Sequence, residues 1–255
     1  MRTRAGVILQ ARYNSTRLPG KALEVVAGRT ILEHCLRRLI AAGVARVVLA
    51  TTWEPEDDVL AVIARRLGAS VYRGESADVL ARFAHAARFF DLDPVLRATG
   101  DNPAVDVQAP GRVLAALRMT GADYVIESGL PCGVAVEGMT ADALERAEIL
   151  AQDPYDREHV TPVIRNNLDI FNVAEVSAPA SLVRPELRLT VDTREDLDRM
   201  RELFFRTQSD DPSLSSLIAA SGGKEPLYTG TKASGSQRTG STSSTRTVVV
   251  RREVA

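Results

Sequence analysis

Cysteine is almost missing from this chain of 255 residues: Cys35 and Cys132 are the whole supply. Two isolated thiols make neither a disulfide framework nor a zinc site, and a reducing, cytoplasmic setting is expected. Missing too is any excess of charge. Lys and Arg number 32 against 33 Asp and Glu, a formal net charge of -1, which gives no global pull towards nucleic acid or an anionic membrane. A polyanion must then be met by a local patch. No apolar run approaches membrane-spanning length and no signal-peptide pattern precedes the first one, so no membrane association is expected. What is present, 45% hydrophobic and 25% charged residues, is the composition of a soluble globular protein. The chain is long enough for a sizeable core, as one large α/β domain or two small ones.

The local patch lies at residues 7–21, VILQARYNSTRLPGK. Val7-Ile8-Leu9 reads as a buried strand near the start of an α/β domain. A polar segment follows with Arg12, Arg17 and Lys21, and Pro19-Gly20 forces a turn just before the lysine. No acidic residue precedes Glu24. Three cations and a row of free backbone N–H groups in one loop are what a polyphosphate needs. A plain basic surface loop is the rival reading; the strand, the clustered charge and the Pro-Gly-Lys ending favour phosphate. The segment is neither a Walker A loop nor a G-x-G-x-x-G turn.

Strand and helix patterns then alternate. Thr30-Ile31-Leu32-Glu33 reads as a capping box opening a helix with Ile31, Leu32, Cys35, Leu36, Leu39 and Ile40 on its apolar face. Cys35 is expected in the core and His34, off that stripe, in solvent. A buried strand is expected at 47–50, a helix at 57–67, a short strand at 71–72 and a helix at 78–90 whose Val79, Leu80, Phe83 and Ala87 face inward. A strand at 94–99, a helix at 106–120 and an apolar stretch at 123–126 follow. The spacing predicts right-handed βαβ units in a mostly parallel, Rossmann-like sheet with helices on both faces. Ligands of such sheets bind beyond the carboxyl ends of the strands. The Arg12–Lys21 loop and the loop Thr99-Gly100-Asp101-Asn102-Pro103 leave strands at that edge and can face one cleft. On its own, Asp101 fits an Asp-Asn-Pro turn as well as a magnesium ligand. Residues 187–193 read as an alternating strand ending in Asp192, with Thr193-Arg194-Glu195-Asp196 capping the next helix. Beyond residue 220 the chain turns Gly-, Ser- and Thr-rich, so a domain at 1–220 and a disordered tail at 221–255 are expected, with Val248-Val249-Val250 as a stray strand at most.

Four motifs, Gln10-Ala11-Arg12-x-x-Ser15-Thr16-Arg17-Leu18-Pro19-Gly20-Lys21, Arg97-x-x-Gly100-Asp101-Asn102-Pro103, Arg157-Glu158-His159-Val160-Thr161-Pro162 and Leu187-Arg188-x-Thr190-Val191-Asp192-Thr193, span most of residues 6–206. Together they resemble the cytidylyltransferase superfamily, nearest its spore-coat polysaccharide biosynthesis type, with CMP-Kdo and acylneuraminate synthetases as more distant relatives. The resemblance implies a nucleotide-diphospho-sugar transferase fold and a transferase that joins CTP to a sugar or sugar-acid acceptor in polysaccharide or glycoconjugate precursor synthesis, releasing pyrophosphate. It implies nucleotide binding by Gln10, Ala11, Arg12, Ser15, Arg17, Lys21, Thr99 and Asp101, with Lys21, Arg12 and Asp101 in catalysis. It also implies acceptor contacts from Asn102, Glu137, Arg157 and His159, magnesium on Asp101 and Asp192, and a homodimer. One departure stands out. Where P-D-G-x-D-x-E is common in the family, this chain has Pro131-Cys132-Gly133-Val134-Ala135-Val136-Glu137, so two expected aspartates are Cys132 and Ala135. The acceptor is therefore open, and so is a non-catalytic nucleotide-binding homologue. A glycosyltransferase using a nucleotide sugar ranks lower: its usual D-x-D motif has one candidate, Asp91-Leu92-Asp93, which precedes a strand instead of ending one.

Overall fold

A computed structural model describes residues 4–222 of the chain; the expected tail from residue 223 onward, with Val248–Val250, lies outside the described residues. The first strand, β1 (Gly6–Gln10), is buried almost throughout. The loop after it ends in a single 3-10 turn at Lys21–Leu23 and a small antiparallel hairpin, β2 (Val25–Val26) and β3 (Arg29–Thr30). There follow α1 (Ile31–Ala41), β4 (Arg46–Thr52), α2 (Asp58–Arg66), β5 (Ser70–Gly74), α3 (Val79–Phe89), β6 (Val95–Thr99) and α4 (Ala109–Thr120). The second half holds β7 (Tyr124–Ser128), β8 (Glu137–Met139), α5 (Ala141–Leu150), α6 (Pro154–His159), α7 (Pro162–Asn166), β9 (Val173–Ser177), α8 (Arg194–Thr207) and α9 (Leu214–Ala220).

Seven strands make one sheet in the order β5-β4-β1-β6-β8-β7-β9. All its pairings are parallel except those of the short β8, which runs antiparallel to β6 and β7. Alternate side chains of β1 feed two cores. Val7 and Leu9 pack with residues of α1, α2, α4, α8 and α9, and Ile8 packs with those of α3, α5 and α7. Helices thus cover both faces, as the alternating pattern predicts. The Thr30 capping box forms as expected, Glu33 N–H donating to Thr30 Oγ1 and Thr30 N–H to Glu33 Oε2. Thr193 and Asp196 make the same reciprocal pair at α8.

Three expectations fail: Ile40, expected on the apolar face of α1, is exposed, and two others are overturned by partners distant in sequence. Residues 187–193 form no strand of the sheet; their pairing is a single bridge between Cys132 and Arg188. The alternation of Leu187, Leu189 and Val191 is real, since all three are buried. Their backbone bonds instead run to the loop at Cys132 and to the Asp101 carbonyl, which accepts from Val191 N–H at 2.9 Å. His34 is enclosed, not solvated: its Nε2 lies 2.8 Å from the Val26 carbonyl and its ring meets Phe204 edge-on. Burial outweighs that bond and holds the imidazole below its ordinary pKa, so it sits there neutral. Cys35 is buried as expected, and burial pushes its thiol up to about 12.

Candidate active site

At the carboxyl edge of the sheet the loop leaving β1 folds around Tyr13. The Tyr13 carbonyl accepts from Ser15 N–H at 2.9 Å and Gly20 N–H at 2.8 Å, pulling the loop into a concave turn. Gly20 has φ 74, the left-handed region open to glycine, and a Cβ there would stand 3.3 Å from the Tyr13 ring. The other anchor is a residue the sequence did not single out. Asp57, buried at the start of α2, accepts from Tyr13 N–H at 2.6 Å, Thr51 Oγ1 at 2.9 Å and Thr52 N–H at 3.1 Å. One buried carboxylate therefore ties the loop after β1 to the tip of β4. Asp57→Ala leaves at least three donors without a partner and is expected to cost about 2 kcal/mol or more. Urea unfolding of the variant checks this; an unchanged midpoint refutes it.

Across the cleft, β6 ends in Thr99 and delivers Gly100-Asp101. A Cβ on Gly100 would stand 2.7 Å from Ala11 Cβ and 2.9 Å from the Gln10 carbonyl, so glycine lets the two loops touch. Asp101 Oδ1 accepts from Thr99 Oγ1 at 2.6 Å, and Asn102 Nδ2 donates to the same hydroxyl at 2.6 Å. The residues meet at Lys21. Its Nζ donates to Asp101 Oδ2 at 2.9 Å, Asp192 Oδ1 at 3.0 Å and the Val191 carbonyl at 3.0 Å. The two carboxylate oxygens sharing that ammonium are thus no more than about 5.9 Å apart, the limit set by its 2.9 and 3.0 Å bonds. Asp192 also pairs with Arg17 at 2.9 Å and Arg188 at 2.6 Å. Burial alone would raise its carboxyl; Lys21, Arg17 and Arg188 outweigh it and hold it below the usual carboxylate range. Asp192 reaches this place from an irregular segment, not from a strand end, and the bond from Val191 N–H to the Asp101 carbonyl holds it beside Asp101.

These residues line a cleft of about 360 Å³. Gln10, Ala11, Arg12, Ser15, Arg17, Lys21, Thr99, Asp101, His159 and Asp192, all expected from sequence, line it together. Three expected acceptor contacts do not. Asn102 is buried behind Thr99. Arg157 faces away, held by Asp78 at 2.8 Å and by the carbonyls of Ala151 at 2.9 Å and Glu148 at 3.0 Å. It clamps α6 to the N-cap of α3. Glu137 is enclosed by Arg97, Tyr124 and Thr161 and does not line the cleft. Asp91 and Asp93 sit at the amino end of β6 near Arg4, on the edge of the sheet opposite Asp101.

The cleft also holds Arg82, Arg97 and Glu158, which were not expected. Arg82 lies on the otherwise apolar stripe of α3 between Val79 and Phe83, a cation where the pattern calls for a hydrophobe. That oddity was the available signal. Its Nη1 donates to the Glu75 carbonyl at 2.7 Å, and burial, then the neighbouring Arg12, bring its pKa down to about 10. Arg12 itself stands 3.6 Å from Glu158.

Burial would raise the Glu137 carboxyl as well, but Arg97, Tyr124 and Thr161 hold it below its ordinary 4.5. A carboxyl depressed on folding stabilises fully above that unfolded value and loses the contribution as pH falls through the folded one. Glu137→Gln is therefore expected to make stability less steeply dependent on pH below about 4.5. Denaturant midpoints of the two chains across pH 3 to 6 check it (about the range in which carboxyls titrate); parallel curves refute it.

A cation-lined loop after the first strand faces two carboxylates at the switch of a mostly parallel sheet, where ligands of such sheets bind. The class is that of the nucleotidyltransferases. Within it, the chain belongs to the cytidylyltransferase family, whose sequence model matches residues 6–221. It is 33% identical over 218 residues to the spore coat polysaccharide biosynthesis protein SpsF of Bacillus subtilis, covering 83% of this chain and 91% of that one. It is 38% identical over 197 residues to MJ1063 of Methanocaldococcus jannaschii, covering 77% and 81%. The solved structure of a cytidylyltransferase from Leptospira borgpetersenii superposes with a TM-score of 0.77 at 30% identity, over 85% of this chain and 93% of that one. Among the described residues no helix is long and apolar enough to cross a membrane.

Proposed function

We propose that the chain transfers the cytidylyl group of CTP to an oxygen of a sugar-like acceptor and releases pyrophosphate. One observation carries this: a single ammonium, Lys21, is shared at 2.9 and 3.0 Å by two carboxylates from distant parts of the chain. Such a constellation has little structural use at an open cleft. It is suited to exchanging partners when a triphosphate and its counterion arrive.

Two carboxylates alone do not cage a metal, and no group of three or more metal-ligating side chains occurs among the described residues. Magnesium needs no such cage, because phosphate and water oxygens complete its octahedral shell. Asp101 and Asp192 converge on a point now held by a cation, so the donor set fits it. Bound there, magnesium would neutralise phosphate charge. Lys21 and Arg17 then turn to the phosphates, and Arg12 holds the side near α6. The acceptor oxygen attacks the α-phosphorus, the bond to the bridging β-phosphate oxygen breaks, and the acceptor proton passes to solvent. No covalent enzyme intermediate is required; positioning and electrostatics supply the rate. SpsF is named for polysaccharide biosynthesis, which favours a sugar-like acceptor. Pyrophosphate release from each of the four NTPs with magnesium, against sugar acids, sugar phosphates and neutral sugars, tests the reading. No release from CTP with any acceptor ends it.

A further inference from the structure

One wall of the cleft is used by none of these roles. Side chains two apart on a strand share a face, and β6 turns Arg97 and Thr99 together into the cleft. Both lie on the α3 face of β6; Thr99 turns to Asp101, at 2.6 Å, while Arg97 is bonded to Glu137 and not to the residues around Lys21. Arg97 Nη1 donates to the Glu137 carboxylate, while its Nε is enclosed without an acceptor. Among the described residues Glu137 is the only side-chain partner of that guanidinium.

Glu137 is itself fully engaged. One oxygen takes Arg97; the other accepts the Tyr124 hydroxyl at 2.5 Å and the Thr161 hydroxyl at 3.1 Å. It cannot turn to the cleft without leaving a half-buried cation and two hydroxyls unpaired. Thr161 reaches it through a strained bend. Val160, completely buried, has φ 69 and ψ -56, and Thr161 N–H donates to the His159 carbonyl at 2.8 Å. This is the γ-turn with positive φ, rare for any residue and costly for a β-branched one. Its effect is to leave Glu158 and His159 in the cleft while sending Val160 and Thr161 into the interior. Buried network and cleft wall are thus one construction, and Arg97 faces both.

The position fixes what Arg97 would meet. In an in-line displacement the nucleophile enters opposite the leaving group. In the transfer proposed above the leaving pyrophosphate would lie with Lys21 and Arg17, so the acceptor would enter from the Arg97 side. A guanidinium offers only donors, and its planar fork suits paired oxygens.

We infer that Arg97 is a substrate-contacting residue for the acceptor, taking an anionic carboxylate or phosphate group on it, and that Glu137 acts behind it as a positioning residue. This rests on the transfer proposed above.

The test uses the full chain with CTP and magnesium. Acceptor probes are N-acetylneuraminate and gluconate as carboxylates, glucose 1-phosphate as a phosphate, and glucose as a neutral sugar. Arg97→Met is expected to raise the KM for the anionic probe that wild type uses by on the order of 10-fold or more, with the CTP dissociation constant within about twofold. Arg97→Lys should recover part of the loss, and Glu137→Gln should show the same acceptor-selective change in smaller measure. Because Arg97→Met strands a buried carboxylate, the double variant Arg97→Met/Glu137→Gln is run beside it. The inference is overturned if the folded variants keep the wild-type acceptor KM, if CTP affinity falls as much as acceptor affinity, or if the neutral sugar is preferred. If wild type binds CTP but transfers to no probe, the transfer reading fails. Calorimetric binding of the same anionic probes then decides: weaker heats in Arg97→Met support the assignment, and equal heats, zero included, overturn it.

Discussion

Lys21→Ala is expected to lower turnover with CTP by on the order of 10²-fold or more, the usual cost of removing one charged donor at developing charge. The ammonium is well enclosed, its side chain 13% exposed, and it touches both Asp101 and Asp192. Alanine would remove the proposed phosphate contact and leave the two carboxylates facing each other with Arg17 and Arg188 as the remaining counter-charges, both on Asp192. The loss should therefore appear in kcat as well as in KM. A methionine variant of similar length separates charge from packing, since it fills the same space without an ammonium. Steady-state rates at saturating CTP are the measurement. Wild-type kcat in a folded Lys21→Met chain would remove the lysine from the chemistry.

Asp101→Asn and Asp192→Asn are each expected to weaken the dependence on magnesium and to cut turnover as severely. The double variant should be little worse than either single one, because groups that hold one ion act as a unit. An amide keeps the shape but loses the charge that makes carboxylate a good magnesium ligand. The two substitutions should differ in stability. Asp192 is held ionised by Lys21, Arg17 and Arg188, so neutralising it strands more positive charge than neutralising Asp101 does. Magnesium titrations of activity, read beside thermal unfolding of the same chains, test both statements. Fully additive losses, or single variants that keep the wild-type magnesium requirement, would break the paired site.

The motifs at residues 10–21 and 97–103 were legible because each is local. A strand feeds a turn, and the turn's own residues carry the charge, so residue order and residue chemistry coincide. The same holds for the alternating helices and strands, the capping boxes at Thr30 and Thr193, and the inward face of α3. Sequence alone also brought Asp101 and Asp192 forward, through the motifs around them.

What tertiary structure decided is the direction in which side chains of similar type point. Arg157 and Arg97 both stand within recognisable motifs, yet Arg157 is spent on Asp78 and two carbonyls while Arg97 enters the cleft. Glu137 reads as a ligand contact, but a short antiparallel strand carries it inward behind Arg97. His34 falls off an amphipathic stripe and is still buried, because α8 brings Phe204 over it. Asp57 reads as an ordinary helix start, and only the approach of the β1 loop gives its second oxygen the Tyr13 N–H. In each case the deciding partner lies tens of residues away. Periodicity reports which face of an element is apolar; it carries no information about which distant polar group will arrive to satisfy a buried charge.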